Sequence, residues 1–135
     1  MIQRIQTLYL LGSSLLLLPL WFLPWMERAS EDPSPIISVT ATVLTLLAVI
    51  ANIVAVFRFA DRERQYQITK AALTVLVALL AVQLGVLFTL GGIGSYLLDE
   101  AISPASTFLA IVLNAFAVRA IRSDIEKVRS MDRIR

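Results

Sequence analysis

Charged residues are confined to short clusters that separate four long apolar stretches. No Asp, Glu, Lys or Arg occurs in residues 5–26, 33–57, 71–98 or 101–118. An α-helix needs about 20 apolar residues to cross the roughly 30 Å hydrocarbon core of a bilayer. The pattern therefore predicts four transmembrane helices and a polar tail. We place the four spans at about 5–24, 36–57, 70–91 and 104–121, and the tail at 122–135.

The predicted spans fix the expected fold class. Because lipid offers the backbone no hydrogen-bond partners, apolar spans of this length are expected to be helical. We therefore expect an all-α membrane protein of one domain, an antiparallel four-helix transmembrane bundle with a short cytoplasmic C-terminal helical extension. In the tail, Ile121, Ile125 and Val128 form one apolar stripe at helical spacing. This helix could lie on lipid or dock on a protein, and the sequence leaves both open.

Prolines and tryptophans refine the ends of the spans. Pro104 is predicted to precede the fourth helix, and Pro19 to bend the first, because proline lacks the N–H that a helix interior requires. Trp21 and Trp25 stand where the first span should leave the membrane, as expected of an interfacial aromatic belt. The intervening segments 25–35, 58–69 and 92–103 are interpreted as loops.

The distribution of basic residues predicts the orientation. Eleven of the 12 Lys and Arg residues fall on one side of the predicted topology, together with five acidic residues. The other side carries Arg28 and five acidic residues. Because Lys and Arg are retained on the cytoplasmic side, both termini are expected in the cytoplasm.

Composition narrows the chemistry. The chain has no Cys and no His, which argues against thiolate or imidazole metal sites and Ser-His-Asp catalysis. The predicted spans contain almost no ionisable side chains, and ion-coupled transport usually needs such groups. Acidic residues interleave with the basic clusters, which disfavours nucleic-acid binding. We expect no enzyme activity and no cofactor.

Three polar side chains stand out within the spans: Asn52, Gln83 and Asn114. Asn52 lies six residues before Arg58, and Asn114 lies five before Arg119. Since both helices run inward, the two amides should lie at similar depth and could hydrogen-bond to each other. Interhelical contact is the preferred interpretation. A contact with a polar or lipophilic ligand is the alternative.

Both ends of the chain resemble a known family. The opening residues 1–10 read MIQRIQTLYL, and residues 117–124 and 128–135 read AVRAIRSD and VRSMDRIR. These segments resemble the bacterial membrane family catalogued as domain of unknown function 4293. The resemblance implies four spans in about this length and no particular activity. Together with the predicted orientation, it implies a bacterial cytoplasmic (inner) membrane as the expected location. Val118 departs from the pattern, in which a polar residue such as Asn is commoner.

The resemblance also draws attention to polar residues near the ends of the first and fourth spans. They are candidates for a docking surface or for a contact that closes the bundle: Gln3, Arg4, Gln6, Arg119, Arg122, Asp124, Arg129, Asp132 and Arg133. We expect Arg4 to pair with Asp124, or otherwise with Asp132.

Two functions remain open at this point. The first is a non-catalytic accessory, assembly or scaffold subunit of a larger membrane complex, with the lipid bilayer and a protein partner or second copy as its contacts. The second is a small transporter or a binder of lipophilic ligands that uses the polar interior of spans two to four. A polar cavity in that interior would favour the second, and a tightly packed interior the first.

Overall fold

The computed structural model describes residues 2–31, 35–89 and 97–132, with side chains at 5–31, 35–89 and 100–131. These residues form five α-helices and one 3₁₀ turn. They are α1 (Ile2–Leu17), the 3₁₀ turn (Leu18–Phe22), α2 (Pro24–Ser30), α3 (Ile36–Phe57), α4 (Arg62–Thr89) and α5 (Leu97–Asp132). Within the described part of the chain, four helical segments are long and apolar enough to cross a membrane. The predicted all-α, four-span fold class is confirmed.

The four long helices form an antiparallel ring. Helix α1 packs against α3 and α5, and α4 packs against the same two helices from the other side. Each helix therefore touches the helices next to it in the chain, and α5 closes the ring against α1. Close approach is possible where α5 meets α1, because Gly12 has no side chain: a Cβ there would lie 3.2 Å from Cδ1 of Leu113.

Small, polar and leucine side chains occupy the inside of the ring. Their spacing alternates between three and four residues, as in a coiled coil whose helices wind around each other with a left-handed twist. In α3 the buried residues are Ala41, Thr45, Ala48, Asn52 and Ala55. In α4 they are Gln65, Thr69, Ala72, Leu76, Leu79, Gln83 and Val86. Small side chains on this seam let helix backbones approach closely, which is how helices pack in lipid.

Many other large apolar side chains point outward. Phe22, Phe57 and Phe88 are 89%, 75% and 80% exposed, and Leu8 is 67% exposed. A water-soluble bundle would bury these side chains and expose its Asn and Gln residues. The reversed arrangement is suited to a lipid environment, which agrees with the predicted spans.

The first span is not one continuous helix. Helix α1 ends at Leu17, and the chain continues as the 3₁₀ turn Leu18–Phe22. Pro19 explains the change, because it has no N–H to donate to the carbonyl four residues earlier. Beside the break, Ser106 of α5 donates a hydrogen bond to the carbonyl of Leu16 at 2.8 Å. The structure shows a change of helix type at Pro19, and the predicted bend stays a prediction.

The segment 25–35, interpreted from sequence as a loop, contains helix α2. Trp25 is 2% exposed and Ala29 is fully buried, so α2 turns its apolar face into the end of the bundle. Helix α2 packs against α3 and α5. The sequence placed Trp25 in an interfacial aromatic belt, and the structure shows that its ring packs in the core cluster and does not face outward.

Helices α4 and α5 both begin earlier than predicted. Helix α4 starts at Arg62 rather than near residue 70, because Asp61 caps it: its Oδ1 accepts the backbone N–H of Arg64 at 3.1 Å. Helix α5 starts at Leu97 and continues through Pro104, which was predicted to stand before the helix. Membrane helices tolerate an internal proline where neighbouring helices supply hydrogen bonds. The tail is helical as far as Asp132, as predicted.

Candidate functional site

Three side chains from three helices meet at the centre of the bundle. Nδ2 of Asn114 donates to Oδ1 of Asn52 at 2.7 Å. Oγ of Ser13 accepts from Nδ2 of Asn52 at 3.2 Å and from Nδ2 of Asn114 at 3.4 Å. All three residues are fully buried. We call this group the polar centre.

The polar centre joins helices that are not neighbours in the ring. Asn52 is on α3 and Asn114 on α5, and these helices face each other across the bundle. Their hydrogen bond therefore links α3 to α5 across the bundle, and Ser13 links α1 to both of these helices. From their similar depth, the sequence indicated that Asn52 and Asn114 could hydrogen-bond to each other, and they do so in the structure. Sequence reasoning assigned no contact to Ser13.

The chemistry of the polar centre is that of neutral hydrogen bonds. Amide and hydroxyl groups neither gain nor lose a proton near neutral pH, so these three residues can orient neighbouring groups but carry no charge. The buried hydroxyls of Ser14, Thr45 and Thr69 do not join the centre. Each donates to the carbonyl four residues earlier in its own helix, at 2.7–3.0 Å. No group of His, Cys, Asp or Glu able to hold a metal occurs among the described residues.

Gln83 belongs to a different part of the interior. Its backbone carbonyl accepts a hydrogen bond from Nε1 of Trp25 at 3.2 Å, which links α4 to α2. Its side chain is 1% exposed, and its Oε1 accepts no hydrogen bond from a described residue. The same holds for the buried hydroxyls of Ser103 and Thr107 on α5. The structure thus places Gln83 at the α2 contact and not in the polar centre.

We call the end of the bundle that carries α2 the acidic end, and a close ion pair lies among its described residues. Nη2 of Arg28 lies 2.6 Å from Oε1 of Glu100, and the Glu100 side chain is only 7% exposed. A carboxylate this deeply buried needs a partner, since an unpaired buried charge is costly. Sequence reasoning placed both residues on this side but did not pair them.

The opposite end, which we call the basic end, joins α4 to the extension of α5. Nε of Arg62 lies 2.6 Å from Oδ2 of Asp124, in a contact whose N–H is not aligned for a hydrogen bond. Nη2 of Arg129 donates to Oε1 of Glu63 at 2.7 Å. These two contacts brace residues 122–132 of α5, which we call the arm, against the start of α4.

The arm also carries an internal pair on its exposed surface. Nε of Arg122 donates to Oε1 of Glu126 at 2.9 Å, one turn further along the helix. This hydrogen bond, and the negative charge of Glu126, raise the pKa of Arg122 above its ordinary value. Arg122 therefore keeps its charge at every physiological pH.

The residues predicted to form a docking surface or to close the bundle differ in burial and in partners. Arg119, Arg122 and Arg129 are exposed, whereas Gln6 is buried. Asp124 pairs with Arg62. The side chains of Gln3, Arg4, Asp132 and Arg133 lie outside the described residues, so the predicted contact of Arg4 with Asp124 or Asp132 stays a prediction. Sequence reasoning missed Arg62 and Glu63, which lay in a segment interpreted as a loop.

Comparison with known proteins gives one family and no activity. The family model described as "Domain of unknown function (DUF4293)" matches residues 34–134 of the chain. No curated protein and no solved structure matches the chain.

Proposed function

Given that this chain belongs to the family described as domain of unknown function 4293, we propose that it is a non-catalytic accessory or scaffold subunit of a larger membrane complex. In this proposal the arm is the part that a partner protein contacts. A second copy of the chain is the other candidate partner. The cytoplasmic membrane of a bacterium is the proposed location, with the basic end in the cytoplasm.

The observation that carries this proposal is the braced arm. Residues 122–132 continue α5 beyond its apolar part, and two ion pairs with α4 hold them in place. The Arg122 side chain is 68% exposed and that of Arg129 is 73% exposed. A rigid, charged helix of this kind offers a partner fixed groups without the entropy cost of ordering a flexible tail.

The polar centre supports the same interpretation. Asn52, Asn114 and Ser13 hydrogen-bond to one another and are fully buried. The two amide N–H groups, the amide oxygen of Asn52 and the oxygen of Ser13 therefore hold helices together, while Oδ1 of Asn114 has no hydrogen-bond partner among the described residues. Interhelical hydrogen bonds of this type stabilise membrane bundles by about 0.6–1.7 kcal/mol each, which is a structural contribution.

The test is affinity purification of the tagged protein from its native membrane in mild detergent, with mass spectrometry of the proteins that accompany it. We expect a stoichiometric partner, which is lost in the double variant Arg122→Ala/Arg129→Ala. The matched control is Arg58→Ala/Arg64→Ala, which removes the same charge from the end of α3 and the first turn of α4 at the same end. The control should retain the partner.

Two results would contradict the proposal. A protein that purifies alone, as a monomer, from its native membrane would remove the accessory role. Equal loss of the partner in both double variants would show that the overall charge of the basic end matters and the arm does not. A homo-oligomer that dissociates only in the arm variant would instead identify the second copy as the partner.

The unpaired polar atoms near the acidic end favour the second candidate function. Oε1 of Gln83 and the hydroxyls of Ser103 and Thr107 are buried and have no hydrogen-bond partner among the described residues. Buried polar groups usually have one, so these three atoms are available to a polar ligand. A small transporter or lipophilic-ligand binder would use them, and Gln83→Leu would then abolish ligand binding without weakening the fold.

A further inference from the structure

A shallow groove runs between α1 and α5 at the basic end. Its volume is about 370 Å³. The lining residues are Ile5, Tyr9, Phe116, Arg119, Ala120, Ser123 and Lys127. We propose that this groove binds an anionic phospholipid, with the phosphate of the headgroup held by Arg119 and Lys127.

The first argument is the balance of charge at the basic end. Each of the four described carboxylates there already has an arginine within 3.0 Å. The pairs are Asp61 with Arg64, Glu63 with Arg129, Asp124 with Arg62, and Glu126 with Arg122. Four described basic residues of this end have no carboxylate partner: Arg58, Lys70, Arg119 and Lys127. Of these, Arg119 and Lys127 line the groove. The positive charge of the groove is therefore not neutralised by the described carboxylates, and an external anion could neutralise it.

The second argument is the spacing of the polar groups. Arg119, Ser123 and Lys127 recur every four residues, so they lie on one face of α5. Each of the three is exposed. A guanidinium, a hydroxyl and an ammonium in a row are the donors that phosphate oxygens prefer, and the two cations add charge-assisted hydrogen bonds.

The third argument is the apolar wall on the membrane side. The rings of Tyr9 and Phe116 lie 5.8 Å apart between centroids and form the base of the groove. Phe116 is 45% exposed and Ile5 is 48% exposed. The groove is therefore cationic along one edge and apolar along the other. An amphiphile with a phosphate headgroup and acyl chains matches both edges, whereas free phosphate matches only one.

The groove on the α4 side of the arm shows the contrast. It has a volume of about 310 Å³, and its lining includes Arg62, Glu63 and Arg129. Arg62 and Arg129 are already paired with carboxylates. That groove offers no uncompensated positive charge, so the lipid site is assigned to the α1–α5 groove alone.

The experiment is native mass spectrometry of the full-length protein in a non-ionic detergent, titrated with palmitoyl-oleoyl phosphatidylglycerol. Phosphatidylcholine with the same chains and inorganic phosphate are the comparison ligands. We expect the first phosphatidylglycerol to bind at least tenfold more tightly than phosphatidylcholine. Basic residues near a membrane surface each contribute roughly fivefold, so Arg119→Gln/Lys127→Gln should lose about tenfold or more. Both residues are exposed, so the variant is expected to fold.

The matched control is Arg58→Gln/Arg64→Gln, which removes two charges from the same end outside the groove and should stay within about twofold of the unmodified protein. Equal binding of the two phospholipids would overturn the proposal. So would equal losses in the two double variants, since attraction to the basic end as a whole would then suffice. Displacement of the phospholipid by an equal concentration of inorganic phosphate would identify a free-anion site instead.

These outcomes are separable from those of the accessory-subunit test. The lipid variants change Arg119 and Lys127, and the partner variants change Arg122 and Arg129. If the Arg122/Arg129 variant loses the protein partner but still binds phosphatidylglycerol, both proposals are supported. If the unmodified protein binds the two phospholipids equally, the lipid site is contradicted and the accessory-subunit proposal is unaffected.

Discussion

The two ends of the bundle both tie α5 to another helix through an arginine–glutamate pair, but they bury these pairs to very different extents. At the acidic end, Arg28 lies 2.6 Å from Glu100, whose side chain is 7% exposed. At the basic end, Arg129 lies 2.7 Å from Glu63, whose side chain is 57% exposed. The distances are almost equal, so distance does not separate the two contacts.

Burial separates them. An exposed ion pair contributes about 0–1 kcal/mol, because water already solvates both charges. Breaking a buried pair costs more, because the remaining charge is left without water or partner. The acidic end is thus expected to contribute to stability, while the basic end keeps its charges accessible to partners. The polar centre lies between these extremes, with full burial but no charge.

The largest expected effect is at the acidic end. Arg28→Ala leaves Glu100 buried and unpaired, and should lower the free energy of unfolding by about 2–3 kcal/mol, less than for a wholly buried pair because Arg28 is 36% exposed. Unfolding in mixed micelles titrated with dodecyl sulfate measures this value. Glu100→Gln is the control: it removes the buried charge and should cost less than half as much. A smaller loss for Arg28→Ala than for Glu100→Gln would break the burial argument.

The intermediate effect is at the polar centre. Asn114→Leu removes two donated hydrogen bonds and leaves Asn52 and Ser13 without them. We expect a loss of about 1–2 kcal/mol in the same unfolding measurement. The double variant Asn52→Leu/Asn114→Leu should cost less than the sum of the single variants, because the second change removes an amide that is already unpaired. Strict additivity would mean that the two amides do not interact.

The smallest effect is at the basic end. Arg129→Ala should lower the free energy of unfolding by about 0.2–1 kcal/mol at low salt. Near 1 M salt the difference should vanish, since the screening length falls to about 3 Å. Repeating the unfolding titration at both salt concentrations measures it. A loss above 2 kcal/mol that survives high salt would place this pair in the same class as Arg28–Glu100.

The predicted parts of the site show which sequence signals are informative. Asn52 and Asn114 could be placed at one depth because the nearest arginines, Arg58 and Arg119, mark where their helices leave the membrane. Ser13 gave no such signal, since a serine in an apolar run is also a common packing residue. A seven-residue spacing of polar residues was one signal that Ser13 faces the interior: Gln6 and Ser13 are one heptad apart, as are Thr45 and Asn52.

The short helix α2 marks the limit of sequence reasoning. Its seven residues, PWMERAS, carry too few apolar positions to reveal a helical period. A tryptophan after an apolar span is typical of the membrane interface, and only packing shows that Trp25 is buried instead. Its indole donates to the carbonyl of Gln83, 58 residues away in the chain. No local pattern encodes a contact at that separation.

The sequence by itself determined the number of spans, the uneven distribution of charge and the helical tail, because each depends on local composition and spacing. A run without charge must become a helix in lipid whatever it packs against. Only the tertiary structure decided which polar groups meet: Ser13 with the two asparagines, Arg28 with Glu100, and Arg62 with Asp124. Such pairings depend on the order of helices around the ring and on their rotation, which are set when all helices pack together.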